Sequence, residues 1–239
     1  MKNFKNAIVI GASSGIGKAL TNILVNQGYK TAITGRRESL LDEIGSLNKE
    51  SVFPFCFDIT KSNNLDFLER IKNKLGTIDL VIFSAGFGDL NNDLNYEIEK
   101  KTNALNVNSF TEIINWSYHV FQKQGFGHLV VISSIAGLRG GKASPAYNAS
   151  KAYQINYLEG LSQRNKNKNI FITDIRPGFV DTAMAKGEGL FWVASKEKAA
   201  KQIYSAILKK KKVVYVTKRW RLIAFILKTL PKRIYIKHF

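Results

Sequence analysis

The 239 residues include one cysteine, four prolines and three histidines, and acidic side chains are outnumbered two to one, 18 Asp+Glu against 36 Lys+Arg. Each scarcity excludes something. A lone Cys56 has no intrachain partner, so a disulfide scaffold is ruled out and a reducing compartment is the natural setting. Its apolar neighbours suggest a core residue rather than a nucleophile. So few prolines beside 45% hydrophobic residues exclude collagen-like, low-complexity and disordered chains. His119, His128 and His238 share no ligand spacing with each other or with the cysteine, so no metal site is expected. Long apolar runs are missing as well. Leu222–Leu227 lies between Arg221 and Lys228, far short of the roughly 20 residues that cross a bilayer. Ala7–Ile10 is too short for a signal-peptide core and runs straight into a glycine. These absences place the chain in the cytoplasm, free or peripheral on the inner face of a membrane.

What is abundant is positive charge, and it is uneven. Of the formal +18, residues 196–239 carry +13, because 14 Lys+Arg stand there against Glu197 alone. Residues 1–195 therefore have the balance of an ordinary domain. The last fifth is a basic segment that either meets an anionic partner or is simply solvated. Nucleic acid is not that partner: neither a reader fold nor a groove of basic residues interleaved with aromatics is discernible.

Short runs rich in Val, Ile and Phe recur at Asn6–Ile10, Lys30–Thr34, Val52–Phe57, Asp79–Phe83, His128–Ser133, Ile170–Ile175 and Val213–Thr217. Several lack polar alternation, the mark of strands covered on both faces. Segments of helical length separate them: Gly15–Gln27, Lys61–Leu75, Glu97–Lys123, Tyr147–Asn165 and Lys196–Lys209. A β-α repeat of this kind predicts one doubly wound α/β domain, a parallel sheet between two helical layers, with ligands at the carboxyl ends of the strands.

The first strand ends in Gly11-Ala12-Ser13-Ser14-Gly15-Ile16-Gly17 and opens a helix. Glycines there let backbone approach a pyrophosphate, whose charge the helix N-terminus favours. Spaced G-x-x-x-G-x-G, the cluster is either a phosphate cradle or a plain tight turn. After the second strand come Arg36 and Arg37, where a carboxylate would accept from a 2′-hydroxyl and arginine would bind a 2′-phosphate. NADP(H) is therefore favoured over NAD(H), the alternative being two solvated cations at a helix start. Asp58 either caps the following helix or meets the adenine amino group.

Farther along, Ser134 closes the fifth strand, and Tyr147 stands with Lys151 on one helix face, four residues apart. An ammonium beside a phenol favours phenolate, which predicts a lowered Tyr147 pKa suited to proton transfer.

The ordered set Gly11/Gly15/Gly17, Asp58, Ser84-Ala85-Gly86, Asn108, Ser134, Tyr147-x-x-x-Lys151 and Pro177-Gly178-Phe179-Val180-x-Thr182 resembles the short-chain dehydrogenases/reductases over residues 6 to about 195. The chain departs from the family pattern at Ser84, where Asn is usual, and at Ile10, where Thr is frequent. The resemblance implies that Tyr147 is the general acid in carbonyl reduction and that Ser134 steadies the oxyanion. Lys151 would hold the nicotinamide ribose, and Asn108 would position a water that links Lys151 to solvent. Gly11, Ser13, Ser14, Gly15, Ile16 and Gly17, Arg36 and Arg37, Asp58 and Ile59, Ser84, Ala85 and Gly86 would line the cofactor, with Tyr147 and Lys151. Pro177, Gly178, Val180 and Thr182 would secure its carboxamide end. A homodimer or tetramer is implied as well.

The catalytic unit is expected at 1–217, with a substrate lid at 183–195. There Gly187 and Gly189 permit movement, and Leu190, Phe191, Trp192 and Val193 either face an apolar substrate or pack on the core. Residues 218–239 form a basic, apolar extension, helical up to Leu230, with Trp220 near one end. It suits an anionic membrane surface, a subunit interface or the cover of the cleft. The leading function is NADP(H)-dependent interconversion of a carbonyl and an alcohol on an apolar or lipid-like substrate. The alternative is a non-catalytic NADP(H)-binding scaffold or redox sensor at a membrane.

Overall fold

The computed structural model describes residues 5–61, 63–185 and 189–238. All seven expected strands form: β1 (Lys5–Ile10), β2 (Tyr29–Gly35), β3 (Val52–Cys56), β4 (Leu80–Phe83), β5 (Gly127–Ile132), β6 (Ile170–Pro177) and β7 (Val213–Val216). They make one parallel sheet in the order β3-β2-β1-β4-β5-β6-β7. The chain reverses its direction of winding between β1 and β4, which leaves a crevice above their carboxyl ends.

The helices are α1 (Gly15–Asn26), α2 (Glu38–Ser46), α3 (Asn64–Leu75), α4 (Tyr96–Asn103), α5 (Phe110–Gln124), α6 (Pro145–Arg164), α7 (Lys196–Leu208), α8 (Trp220–Thr229) and α9 (Lys232–His238). A π-helical stretch, Ala104–Ser109, joins α4 to α5, so the single helix expected over Glu97–Lys123 carries a local change of register. The expected helix to Leu230 ends at Thr229, and a second one follows Pro231.

Two apolar layers explain why the strands lack polar alternation. Ile8, Ile10, Val81, Phe83 and Val131 point to Leu68, Phe110 and Leu158 of α3, α5 and α6. Val9, Ile82 and Val130 point to Leu20, Leu41 and Ile203 of α1, α2 and α7.

Cys56 corrects one expectation. It ends β3, the edge strand, and is exposed instead of core. Partial desolvation and the carboxylates of Glu38 and Asp42 hold its thiol above the ordinary value, so it is no activated nucleophile. His128 sits in β5 with Nε2 2.8 Å from Thr173 Oγ1, and burial pushes its pKa down to about 4.

Candidate active site

A cleft of about 1010 Å³ runs over the carboxyl ends of the strands. At one end lies the glycine turn. Gly11 adopts φ +86°, and a side chain on it would strike the Ala85 backbone nitrogen at 2.6 Å. A Cβ on Gly17 would sit 2.1 Å from the Gly11 carbonyl oxygen, so the turn closes only without side chains at both places. Gly11, Ser13, Ser14, Gly15 and Ile16 line the cleft with Ser84, Ala85 and Gly86 across from them. The buried Thr34 Oγ1, which has no hydrogen-bond partner among the described residues, lies beneath. This bare-backbone cradle fits the pyrophosphate of a dinucleotide.

The two arginines divide. Arg37 Nη2 donates to Ser13 Oγ and Ser14 Oγ, both at 2.7 Å, and so lies over the glycine turn. Arg36 Nη1 stands 3.8 Å from Asp58 Oδ2. Asp58 does not cap α3; its Oδ1 accepts from Thr60 N and Thr60 Oγ1 in a local turn. Partial desolvation would raise that carboxyl, but the Thr60 bonds and the Arg36 charge hold it below its usual value. Its neighbours Phe57 and Ile59 line the cleft.

Midway along the cleft, Ser134 follows β5 and Tyr147 occupies the first turn of α6, where Pro145 suits the opening position. Ser134 Oγ accepts from Ala136 N at 3.1 Å, and the Ser134 side chain bonds the Tyr147 hydroxyl. Lys151 is one turn on, 3% exposed, with Nζ 5.9 Å from the Tyr147 ring centroid. The expected lowering of the Tyr147 pKa is not what the fold alone produces. Burial raises it, and the Ser134 bond offsets only part of that rise. Desolvation falls on the lysine too, which drops to about 8 although Asp174 pulls upward.

Asn108 is the clearest correction. It is exposed and absent from the cleft lining, whereas Asn106 is fully buried. Residues two apart lie roughly 200° apart around a helix, so only one of the pair can face inward. Asn106 shares its face with Phe110 and Ile113, and Asn108 shares the outer one with Asn115 and His119. Asn106 Oδ1 accepts from Phe87 N at 2.9 Å, and its Nδ2 donates to Phe87 O at 2.7 Å and to Ser150 Oγ at 3.0 Å. That apolar spacing was the available signal. A second residue the sequence reading missed is Gln154, 0% exposed, whose Oε1 accepts from Lys151 Nζ at 3.0 Å.

The far end of the cleft is apolar. Pro177, Gly178, Phe179, Val180, Thr182, Ala183 and Met184 meet Trp220 and Leu227 of α8 there. A Cβ on Gly178 would fall 1.9 Å from Trp220, so this glycine, just after β6, is what lets the indole pack against the backbone there. Trp220 is the first residue of α8, near one end of the helix as expected, and is 3% exposed with its ring in the cleft wall. Phe191 and Trp192 do not line the cleft; they pack on Trp220 at centroid distances of 5.0 and 6.1 Å and buttress its outer side. Gly187 lies outside the described residues, as does the side chain of His238. Arg139 Nε and Nη2 donate to the carbonyls of Leu227 and Leu230 and tie α8 down.

Similarity to known proteins agrees with this geometry. The family model described as short chain dehydrogenase matches residues 5–190. An uncharacterized oxidoreductase of Staphylococcus saprophyticus is 33% identical over 211 residues, covering 85% of this chain and 89% of its own. One from Staphylococcus aureus is 32% identical over 184 residues, covering 75% and 80%. In fold, a short chain dehydrogenase from Burkholderia cenocepacia in complex with NADP superposes at a TM-score of 0.84 with 20% identity, covering 98% of this chain and 97% of that one. A Burkholderia phymatum protein in complex with NAD gives 0.81 at 16% identity, covering 93% and 92%. A 7beta-hydroxysteroid dehydrogenase gives 0.86 at 17% identity, covering 98% and 96%. With a dinucleotide cradle at one end, a tyrosine and lysine at its middle and relatives matched along most of their length, the chain belongs to the short-chain dehydrogenase/reductase family and is an NAD(P)-dependent oxidoreductase.

Proposed function

We propose that this enzyme uses NADP(H) to interconvert a carbonyl and a secondary or primary alcohol on an apolar substrate. The observation that carries the proposal is the Tyr147–Ser134 contact beside buried Lys151, set where the polar cradle gives way to an apolar wall. The glycine cradle and Lys151 would hold a nicotinamide cofactor, which when bound would supply or accept the hydride. Tyr147 Oη gives its proton to the substrate oxygen in reduction and removes it in oxidation, while Ser134 Oγ holds that oxygen in place. Lys151 keeps a positive charge beside the phenol, which lowers the cost of the phenolate left after transfer.

Arg37 supports the phosphorylated cofactor. It is the N-cap residue of α2, where a cation opposes the helix dipole, and its guanidinium is already aimed at two serine hydroxyls of the turn. A 2′-phosphate between those groups would satisfy the charge. Phe179, Met184, Trp220 and Leu227 support an apolar substrate, in keeping with the steroid named for one structural neighbour. NADPH oxidation with a panel of ketones and aldehydes, for wild type and Tyr147→Phe, tests the reading. We expect a loss of about 10²–10⁴-fold in the variant with cofactor affinity retained; equal turnover would remove Tyr147 as the proton donor.

Within that reading, 1–217 is the catalytic unit that holds the hydride- and proton-transfer residues, acting in the cytoplasm as a homodimer or tetramer, while 218–239 walls its cleft with Trp220 and Leu227 and rests its outer side on the inner face of an anionic membrane. Among the described residues no helix is long and apolar enough to cross a bilayer. Instead α8 turns Trp220, Ala224 and Leu227 inward and leaves Leu222, Phe225 and Ile226 exposed among Lys218, Arg219, Arg221 and Lys228. Apolar side chains ringed by cations suit anionic headgroups, and the same cations oppose a second copy on this face. Flotation with anionic vesicles should recover the full-length protein and lose Phe225→Glu; equal recovery of both ends the membrane assignment.

A further inference from the structure

Lys151 has three N–H bonds, and two are committed within the fold: Nζ donates to Ile132 O at 3.1 Å and to Gln154 Oε1 at 3.0 Å. Gln154 Nε2 in turn donates to Asn106 O at 2.9 Å. Asn106 lies in the π-helical stretch, where the Phe110 amide, which an α-helical register would direct to Asn106 O, goes to Leu105 O and Val107 O instead. Tyr147, Lys151 and Gln154 follow at i, i+4 and i+7 on one face of α6, so consecutive turns carry the phenol, the ammonium and the amide.

We propose that Gln154 is the positioning residue of this proton-transfer site: its amide fixes the Lys151 ammonium and seals its inner side, so that the proton delivered by Tyr147 is replaced from the cleft.

The partners dictate the amide's orientation. Reversed, it would set an NH₂ against an ammonium and an oxygen against a carbonyl. Held this way, it accepts from the charged lysine and donates to a group that accepts only. An amide has no proton that titrates in the working range, so unlike a water or a carboxyl it ends the chain of exchangeable protons. The third Lys151 N–H is left for the cleft, beside Gly86, where a Cβ would stand 3.7 Å from Nζ. Desolvation draws Lys151 down to about 8, so anything that withdraws an acceptor from its charged form acts within the working range. Few charges compete for it. Asp174 on β6, 2.6 Å from Arg176 Nε, pulls it upward, and Tyr147 faces it from the same helix. Glu99 on α4 is taken by Asn91 Nδ2 at 2.6 Å.

The consequence for turnover rests on the roles proposed for Tyr147 and Lys151, but the lysine can be read without them. NMR titration of the cofactor-free protein, labelled at lysine Cε, follows Lys151 directly. Gln154→Leu should move its midpoint down by about one pH unit, and Gln154→Glu, nearly isosteric, should move it up by about as much. In the full reaction with NADPH and a carbonyl substrate, the alkaline limb of kcat/KM should shift in the same two directions. For Gln154→Leu kcat should fall roughly 10-fold at unchanged NADPH affinity. A Lys151 midpoint that stays put in the folded variants overturns the proposal, whatever the substrate proves to be. Should Gln154→Leu fail to fold, the upward shift in Gln154→Glu decides alone.

Discussion

At the β1–β2 end of the cleft the walls are backbone, serine hydroxyls and arginine, contributed by segments that run 11–17 and 34–37. At the opposite end they are Phe179, Met184, Trp220 and Leu227, drawn from the segment after β6 and from α8. The first end is the more local device: a strand, a glycine turn and a helix start carry most of its chemistry, with Arg37 and residues 84–86 closing on them from the neighbouring strand ends. The second is a tertiary device. Trp220 is placed by Gly178, Phe179, Phe191 and Trp192, and α8 is tied down by Arg139 from the turn after Ser134. An enzyme built this way can keep its cofactor end while its substrate end changes with the packing of a C-terminal helix.

Several changes would break or sharpen that contrast. Trp220→Ala should have the largest effect, about 3–5 kcal/mol of stability, because it empties a buried ring site that three other aromatics lean on. Chemical denaturation measures the loss, and KM should rise for bulky apolar ketones while small ones are spared. A uniform loss for all substrates would show that the two ends are not separable. Next is a residue belonging to neither end. His128 is held neutral in the fold, at about 4, and takes up a proton near 6.5 when unfolded. Its contribution is fully present above 6.5 and is lost as pH falls toward 4, about 3 kcal/mol in all. Denaturation midpoints across that window should slope, and His128→Gln should flatten the slope. Smallest is Arg37→Ala, about 2 kcal/mol, or roughly 30-fold weaker NADPH binding, with NADH unaffected. Fluorescence titration with both cofactors checks it; parallel weakening would mean that Arg37 braces the turn and does not read the phosphate.

Particular residues show where sequence reading reached and where it stopped. The five inner strands were legible because they are buried on both faces and so written mainly in apolar residues, and the edge strands β3 and β7 because they keep Val, Phe or Tyr although they are partly exposed. Tyr147 and Lys151 were legible because helical spacing by itself brings them together. Asn108, expected from motif order, faces outward, whereas the phase of Phe110 and Ile113 puts Asn106, two residues earlier, on the inner face. Cys56 looked like core from its neighbours, but core or edge depends on which strands flank it, and β3 has a neighbour on one side only. Gln154 carries no motif; Lys151 is its neighbour on α6, but only the approach of the π-helical stretch gives its amide the second partner, Asn106 O.

The sequence by itself therefore determined the layered α/β architecture, the dinucleotide turn and the tyrosine–lysine pair, all of which follow from hydrophobic period, glycine conformation and spacing within one helix. The tertiary structure decided which asparagine faces inward, how the lysine's inner side is closed, and that a tryptophan 42 positions beyond Gly178 walls the cleft. Those outcomes depend on which surfaces meet across the fold, and contacts between segments distant in the chain leave no period or spacing to read.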